Sequence, residues 1–256
     1  MTDISHRARI LANLDSNVLT LTLGNGVAHP LSLAMITELH QDLTAPGTDP
    51  QVHVIVIHGP GKIFCAGHDL KEIAAHRADA DQGLAYLTEL FEKCGDMMQE
   101  LTHSPKPTIA LAEGIATAGG LQLLAACDLA YATPNATFCL PGVNNGGFCT
   151  TPAVAVSRTI SRKHMMELAL SGDAFDAEWA RTTGLINRIL PANQAFDFTL
   201  NFARKLATRH PQAIADGKAA LYAHLEMPLD QAYELATRAM VSHFMDPARI
   251  ARENKR

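Results

Sequence analysis

The chain has 256 residues, 47% of them hydrophobic and 18% charged, with a formal net charge of −5 and a pI near 6.2. That length fits one large domain, or one domain with a small appendage. The mild acidity leaves no electrostatic footprint for nucleic acid or an anionic membrane as partner. The stretch Met1 to Arg7 has no basic-then-apolar leader pattern, and no run approaches the ~18 apolar residues of a membrane span. Five cysteines, Cys65, Cys94, Cys127, Cys139 and Cys149, stand singly in apolar contexts. An odd number without close pairs argues for free thiols in a reducing, cytoplasmic compartment, and against a disulfide framework or a metal site.

In chain order, Val18 to Leu23 alternates as a half-buried strand, and Asn25-Gly26 turns the chain. Ser32 caps a helix with Leu33, Ile36, Leu39, His40 and Leu43 at helical spacing. Val52 to Ile57 is a buried strand ended by Gly59-Pro60-Gly61. Leu84, Leu87, Phe91, Met98 and Leu101 form the apolar stripe of a second helix, which Ser104-Pro105-Lys106-Pro107 stops. Strands follow at Thr108 to Ala112 and Leu129 to Ala132, with a helix entered between them through Ala116 to Gly120. Gly172 and Gly184 end helices, and Asp176 caps the helix between them. From Ala192 on, breaks at His210-Pro211 and Met227-Pro228 predict three helices. The pattern predicts an α/β core over residues 1–191 and a helical subdomain over 192–256.

Two loops can carry chemistry. Phe64-Cys65-Ala66-Gly67-His68-Asp69-Leu70-Lys71-Glu72 follows a buried strand, and Gly114 to Gln122 hands a strand over to a helix. Small residues admit close backbone approach, and a helix start offers unpaired N–H groups with partial positive charge. Two such groups converging on one carbonyl oxygen make an oxyanion hole, in which one donor contributes about 2.7–4 kcal/mol to the transition state. Alone, each loop is a weak signal and reads first as a tight turn.

Together and in order, these loops resemble the signature segments of the crotonase (enoyl-CoA hydratase/isomerase) superfamily. Lys106-Pro107-Thr108-Ile109-Ala110, Ala136-Thr137-Phe138, Leu170-Ser171-Gly172-Asp173 and Gly184 to Ile189 extend the resemblance, collinearly, over roughly residues 10–245. The resemblance implies a crotonase-like spiral of ββα turns, a C-terminal helical trimerisation subdomain giving a homotrimer or hexamer, and an acyl-CoA thioester as ligand. Coenzyme A would come as part of that ligand, with no separate cofactor. By matching position, the N–H groups of His68 and Gly119 would polarise the thioester carbonyl, and backbone groups of Ala66, His68 and Leu70 would edge the adenine.

The sequence also departs from the pattern. Hydratases of the family use two glutamates as acid and base; here Gln122 and Gly142 stand at those positions, and neither moves a proton at neutral pH. A positive φ is one reason for a glycine at 142. The run Val143 to Pro152 resembles a glutamate-less branch called "enoyl-CoA hydratase domain-containing". Gly26-Val27-Ala28-His29-Pro30-Leu31 lacks the usual basic residue and Asn-Ala pair, which leaves one CoA phosphate without its contact. The His68 imidazole is the substitute base to weigh, against the reading that it is a bystander. Asn144 and Asn145 read as turn formers, Cys149 as a nucleophile only with a base nearby, Glu89 and Glu92 as solvated, and Asp69 and Asp128 as fixing loop and helix ends. Arg249, Arg252, Lys255 and Arg256 read as a solvated run or as phosphate contacts. Two functions stand side by side: an enoyl-CoA hydratase/isomerase-like enzyme, and a non-catalytic acyl-CoA-binding module. A serine peptidase of related fold would need a serine on the Gly119 segment, and none is there.

Overall fold

Alternating and β-branched residues pair side by side. β1 (Ile10–Asp15) and β2 (Val18–Leu23) form an antiparallel hairpin, and β3 (Val54–Gly59) joins β2 in parallel. The structure is a computed structural model and describes residues 9–254. The expected absence of a leader falls on residues 1–8, and Lys255, Arg256 and the Arg252 side chain also lie outside the described residues.

After β3 the chain repeats one unit. β3, β5 (Thr108–Ala112) and β7 (Leu129–Ala132) enter a six-stranded sheet of order β1-β2-β3-β5-β7-β10, in which β10 is Arg188–Ile189. Each is followed by a short strand, β4 (Ile63–Cys65), β6 (Ile115–Thr117) and β8 (Thr137–Cys139), that enters a second sheet, β4-β6-β8-β9, with β9 at Ala174–Asp176. Helices complete the turns: α1 (Leu33–Thr48) precedes β3, α2 (Leu70–Ala75) and α3 (Leu84–His103) follow β4, α4 (Gly119–Ala126) follows β6, and α5 (Thr150–Val156) follows β8. This is a ββα spiral, as the resemblance implies. Next come α6 (Arg162–Ser171), α7 (Ala177–Thr183), α8 (Ala195–Ala207), α9 (Pro211–His224), α10 (Leu229–Phe244) and α11 (Pro247–Glu253).

Local chemistry sets many boundaries. Ser32 accepts from Met35 N, Asp69 from Lys71 N and Glu72 N, and Asp176 from Trp179 N, while Gly172 and Gly184 end their helices in the left-handed region. The main core lies between the sheets and α1, α3 and α4; the other face of the large sheet, with Val18, Val54, Val56, Ile109, Leu111 and Tyr131, is covered by α8.

Two expectations are corrected. The buried stripe of α3 is Tyr86, Leu90, Cys94, Met97, Met98 and Leu101, while Leu84 and Phe91 are exposed. Both stripes have helical spacing, and packing against α1 and α4 selects the first. Four helices, not three, follow Ala192, because Asp246-Pro247 starts a short extra one.

Among the described residues, no helix is long and apolar enough to cross a membrane, and no cluster of His, Cys, Asp and Glu has metal-binding geometry. All five cysteines are free thiols, and burial pushes Cys65, Cys94 and Cys127 up to about 12.

Candidate functional site

The two glycine loops lie against each other. Gly67 has φ +83°, and a Cβ there would come within 2.9 Å of the Gly119 nitrogen and 3.0 Å of the Ala118 Cβ. A Cβ on Gly119 would lie 3.2 Å from Leu31 Cδ1, 3.3 Å from the His68 ring and 3.4 Å from Gly67 Cα. Any side chain at 67 would therefore crowd the Gly119 nitrogen and its neighbours. Here glycine provides both the backbone conformation and the open room.

Segment 28–31, whose composition departs from the expected pattern, holds the first loop. Ala66 N donates to Ala28 O at 3.0 Å, Leu31 N to Gly67 O at 2.8 Å and Asp69 N to Leu31 O at 3.2 Å. These bonds leave the His68 N–H without an acceptor among the described residues. The Gly119 N–H is equally free: the first bond into α4 is Gln122 N to Ala118 O at 3.1 Å.

Ala118 turns the strand into the helix at φ 49° and ψ −121°, which is strained for a residue with a side chain. Its own N–H is held by Cys139 O at 3.0 Å, so the second sheet fixes this turn. No sequence signal marks Ala118, because alanine carries no preference for that conformation.

The other expected residues divide. Ala66 keeps only its carbonyl open, and Leu70 opens α2 with its side chain 73% exposed. Gln122 is buried in the first turn of α4, and its Oε1 has no partner. Gly142 lies in a 3-10 turn, Pro141–Asn145, and its φ is not positive. The positive-φ explanation is thereby corrected: a Cβ would approach Cys149 N to 2.8 Å and Phe148 C to 3.0 Å, so backbone crowding excludes a side chain. Burial raises the Cys149 thiol, which opposes the nucleophile reading. Asn144 Nδ2 donates to Gly172 O at 3.1 Å and ties this loop to the end of α6. Glu89 and Glu92 are exposed, and Glu89 pairs with Lys93. Arg249 is engaged within the chain, to Glu253 at 2.8 Å and over the Phe244 ring.

The His68 ring packs edge-on against Phe91 with centroids 4.8 Å apart, its Nε2 is buried without a partner, and burial lowers its pKa to about 4. It is therefore neutral at pH 7 and a weak base. The pKa is lower folded than unfolded, so between about 4 and 6.5 the unfolded chain binds the extra proton. Stability contributed by the neutral ring is complete above pH 6.5 and falls by about 3 kcal/mol as pH drops through that window. Urea melts at pH 7 and pH 4.5 should show this loss, and His68→Phe should flatten it; an unchanged slope in the variant contradicts the burial effect.

Asp128, expected to fix a loop or helix end, also anchors a distant helix, which the sequence did not signal. Its carboxylate accepts from Thr108 N at 2.7 Å, Thr108 Oγ1 at 3.0 Å and Tyr222 OH at 2.8 Å, and pairs with Lys218 Nζ at 2.8 Å. Lys218 also donates to Leu101 O and Lys106 O, so α9 is pinned to the spiral beside the start of β5. Two concavities lie elsewhere, one of about 140 Å³ beside His53, Lys106 and Arg209, the other of about 510 Å³ beside Thr37, Gln41 and Lys93.

The family model described as enoyl-CoA hydratase/isomerase matches residues 13–252. The chain belongs to this family. Among curated relatives, the mitochondrial enoyl-CoA hydratase domain-containing protein 3 of Rattus norvegicus is 39% identical over 213 residues, covering 83% of this chain and 69% of the relative. The crystal structure of an enoyl-CoA hydratase/isomerase family protein from Silicibacter pomeroyi has 58% identity and a TM-score of 0.88, over 93% of this chain and 99% of that one. Human enoyl-CoA hydratase domain-containing protein 3 matches with a TM-score of 0.90 at 33% identity, over 97% and 98% of the two chains. Both the crotonase resemblance and its domain-containing branch are borne out by these matches, as is the α/β spiral with a helical C-terminal region.

Proposed function

We propose that this enoyl-CoA hydratase/isomerase family member binds acyl-CoA thioesters, with the thioester oxygen between the N–H groups of His68 and Gly119. The observation that carries this reading is the pair of acceptor-free N–H groups on touching loops. An enolate developing on a thioester needs such donors. Backbone groups of Ala66, His68 and Leu70 edge the adenine in the same reading. Coenzyme A enters with the ligand, and no other cofactor is called for.

Chemistry at this site is not two-glutamate hydration. Gln122 and Gly142 occupy the positions of the acid and base, and a neutral His68 with a pKa near 4 does not replace them. These observations favour the second reading, a binding module without rapid turnover. Calorimetry with acetyl-CoA and longer acyl-CoAs should show saturable binding, weakened by Gly119→Pro, which deletes a donor. Hydration of crotonyl-CoA, followed by loss of the enoyl absorbance, should lack the 10²–10⁴-fold that acid–base groups typically contribute. Gln122→Glu should raise it only modestly, and adding Gly142→Glu should lower the melting temperature through the clash with Cys149. Absence of binding to every ester overturns the ligand assignment, and brisk hydration by the unaltered protein overturns the account of the missing groups.

A trimer, or a hexamer of two trimers, belongs to this proposal. No residue of α9 or α10 is fully buried, and Leu229, Tyr233, Met240, Val241 and Met245 are more than half exposed. On α10, Phe244 is also more than half exposed, while Ala232, Leu235 and Ala239 are half-buried. Sedimentation should find no monomer at micromolar concentration; a stable monomer contradicts the assembly. The five free thiols support a cytoplasmic location, while the Rattus relative is named as mitochondrial.

A further inference from the structure

The cavity of about 140 Å³ lies where the helical C-terminal region meets the spiral. His53, Lys106 and Pro107 line it from one side, and Arg209, Pro211 and Gln212 from the other. It sits at the start of β5, whereas the loop of Gly119 comes after the far end of that strand, roughly 15 Å of extended chain away. The cavity is thus no part of the proposed carbonyl site. Drug-sized ligands fill about 300–1,000 Å³, so neither a nucleotide nor an acyl chain fits inside. At about 30 Å³ per water molecule, the space takes roughly five atoms of that size.

Its walls carry positive charge in a chain whose net charge is −5. Arg209 is exposed, and among the described residues its guanidinium has neither a hydrogen bond nor an ion pair. Lys106 Nζ donates once, to Asp49 O at 3.1 Å; burial lowers its pKa and outweighs the Asp49 charge, which raises it. That Asp49 carboxylate is itself engaged, accepting from Gln51 N at 2.8 Å. Lys218 adds no free charge, because Asp128 neutralises it. In the first turn of α9, the Gln212 N–H has no acceptor among the described residues. Two cationic side chains and a free N–H around so small a space point to an anion.

His53 narrows the choice. A carbonyl only accepts, so His53 Nδ1 is the donor in its 2.8 Å bond to Ala207 O, and the neutral ring has Nε2 left as an acceptor. A carboxylate or a sulfate brings that nitrogen no proton, and a phosphate ester is mostly stripped of its own at pH 7. Hydrogen phosphate brings both partners: charged oxygens for Lys106 and Arg209, and a P–OH for His53. We infer that this cavity binds inorganic phosphate, which joins Lys106 and His53 of the spiral to Arg209 between α8 and α9. The bound ion fastens the helical subdomain to the sheet, independently of acyl-CoA.

Calorimetry with inorganic phosphate on the whole chain, at constant ionic strength, should show one saturable site. Sulfate and methyl phosphate should bind about tenfold more weakly or less, the cost of one hydrogen bond to an ion. Arg209→Gln should lower phosphate affinity by about tenfold or more. Without phosphate that variant should melt with the parent, since the replaced side chain is exposed and unbonded. Phosphate should raise the melting temperature of the parent and leave that of Arg209→Gln in place. Lys205→Gln removes an equal charge from α8 outside the cavity, and should change affinity by less than about twofold. No saturable binding, or equal losses in the Lys205 and Arg209 variants, would overturn the inference. Sulfate or methyl phosphate binding as tightly as phosphate would overturn the choice of ion. Acyl-CoA binding should be the same in both variants, so this inference and the acyl-CoA reading fail separately.

Discussion

Adding one methyl group at Gly120 is expected to lower the melting temperature by about 6–12 °C, through a loss of about 3 kcal/mol. A Cβ there would come to 2.0 Å from Cys65 O, 2.6 Å from its carbonyl carbon and 2.8 Å from its Cβ. The obstacle is backbone, so no rotamer change relieves it. Either α4 or β4 must shift, and both carry the proposed binding loops. Acyl-CoA binding should therefore fall in step with stability. Gly217→Ala is the control, because a Cβ on that residue of α9 meets nothing within 4 Å. That change should stabilise by about 0.5–1 kcal/mol through helix propensity. A Gly120→Ala protein that melts with the parent would show that the two loops are not pressed together as described.

The second large effect belongs to Asp128→Ala. Lys218 keeps a side chain only 8% exposed, and removing its counter-charge leaves a buried ammonium held by carbonyls alone. Breaking a buried pair from one side costs about 3–5 kcal/mol. Denaturant melts should show that loss, and limited proteolysis should cut near α9 earlier than in the parent. Because the charge, and not the lost volume, is the main cost, Lys218→Met placed on top of Asp128→Ala should recover much of it. A single variant that loses less than about 1 kcal/mol would contradict the pinning of α9.

The strands β2, β3, β5 and β7 and most helix ends were legible in the sequence because local residues decide them, whereas β1, exposed at all but Ile10, was not. Ser32, Asp69 and Asp176 supply caps, Gly172 and Gly184 supply left-handed ends, and Val54 to Ile57 has no alternative to burial. The three-residue strands β4, β6, β8 and β9 were not legible, since three residues carry no measurable periodicity. The face of α3 could not be chosen either, because two apolar stripes compete and only the neighbouring helices decide. In the site, the order of the two loops was readable, but not their contact. Bonds to Ala28 and Leu31 hold the loop of Gly67 in place beside Gly119, and Ala118 adopts a backbone conformation that its side chain does not advertise. The link from Asp128 to Tyr222 spans 94 residues, beyond the reach of local pattern.

The covering of one face of the large sheet by α8 bears on how the chain is made. As the polypeptide leaves the ribosome, β2, β3, β5 and β7 are complete long before Ala195 to Ala207 has been synthesised. Until then Val18, Val54, Val56, Ile109, Leu111 and Tyr131 present a continuous apolar surface on parallel strands. Such sheets form slowly and associate readily while uncovered. A nascent chain stalled before Ala195 is thus the most aggregation-prone stage of synthesis, and chaperone engagement should be greatest there and drop once Ala207 has emerged.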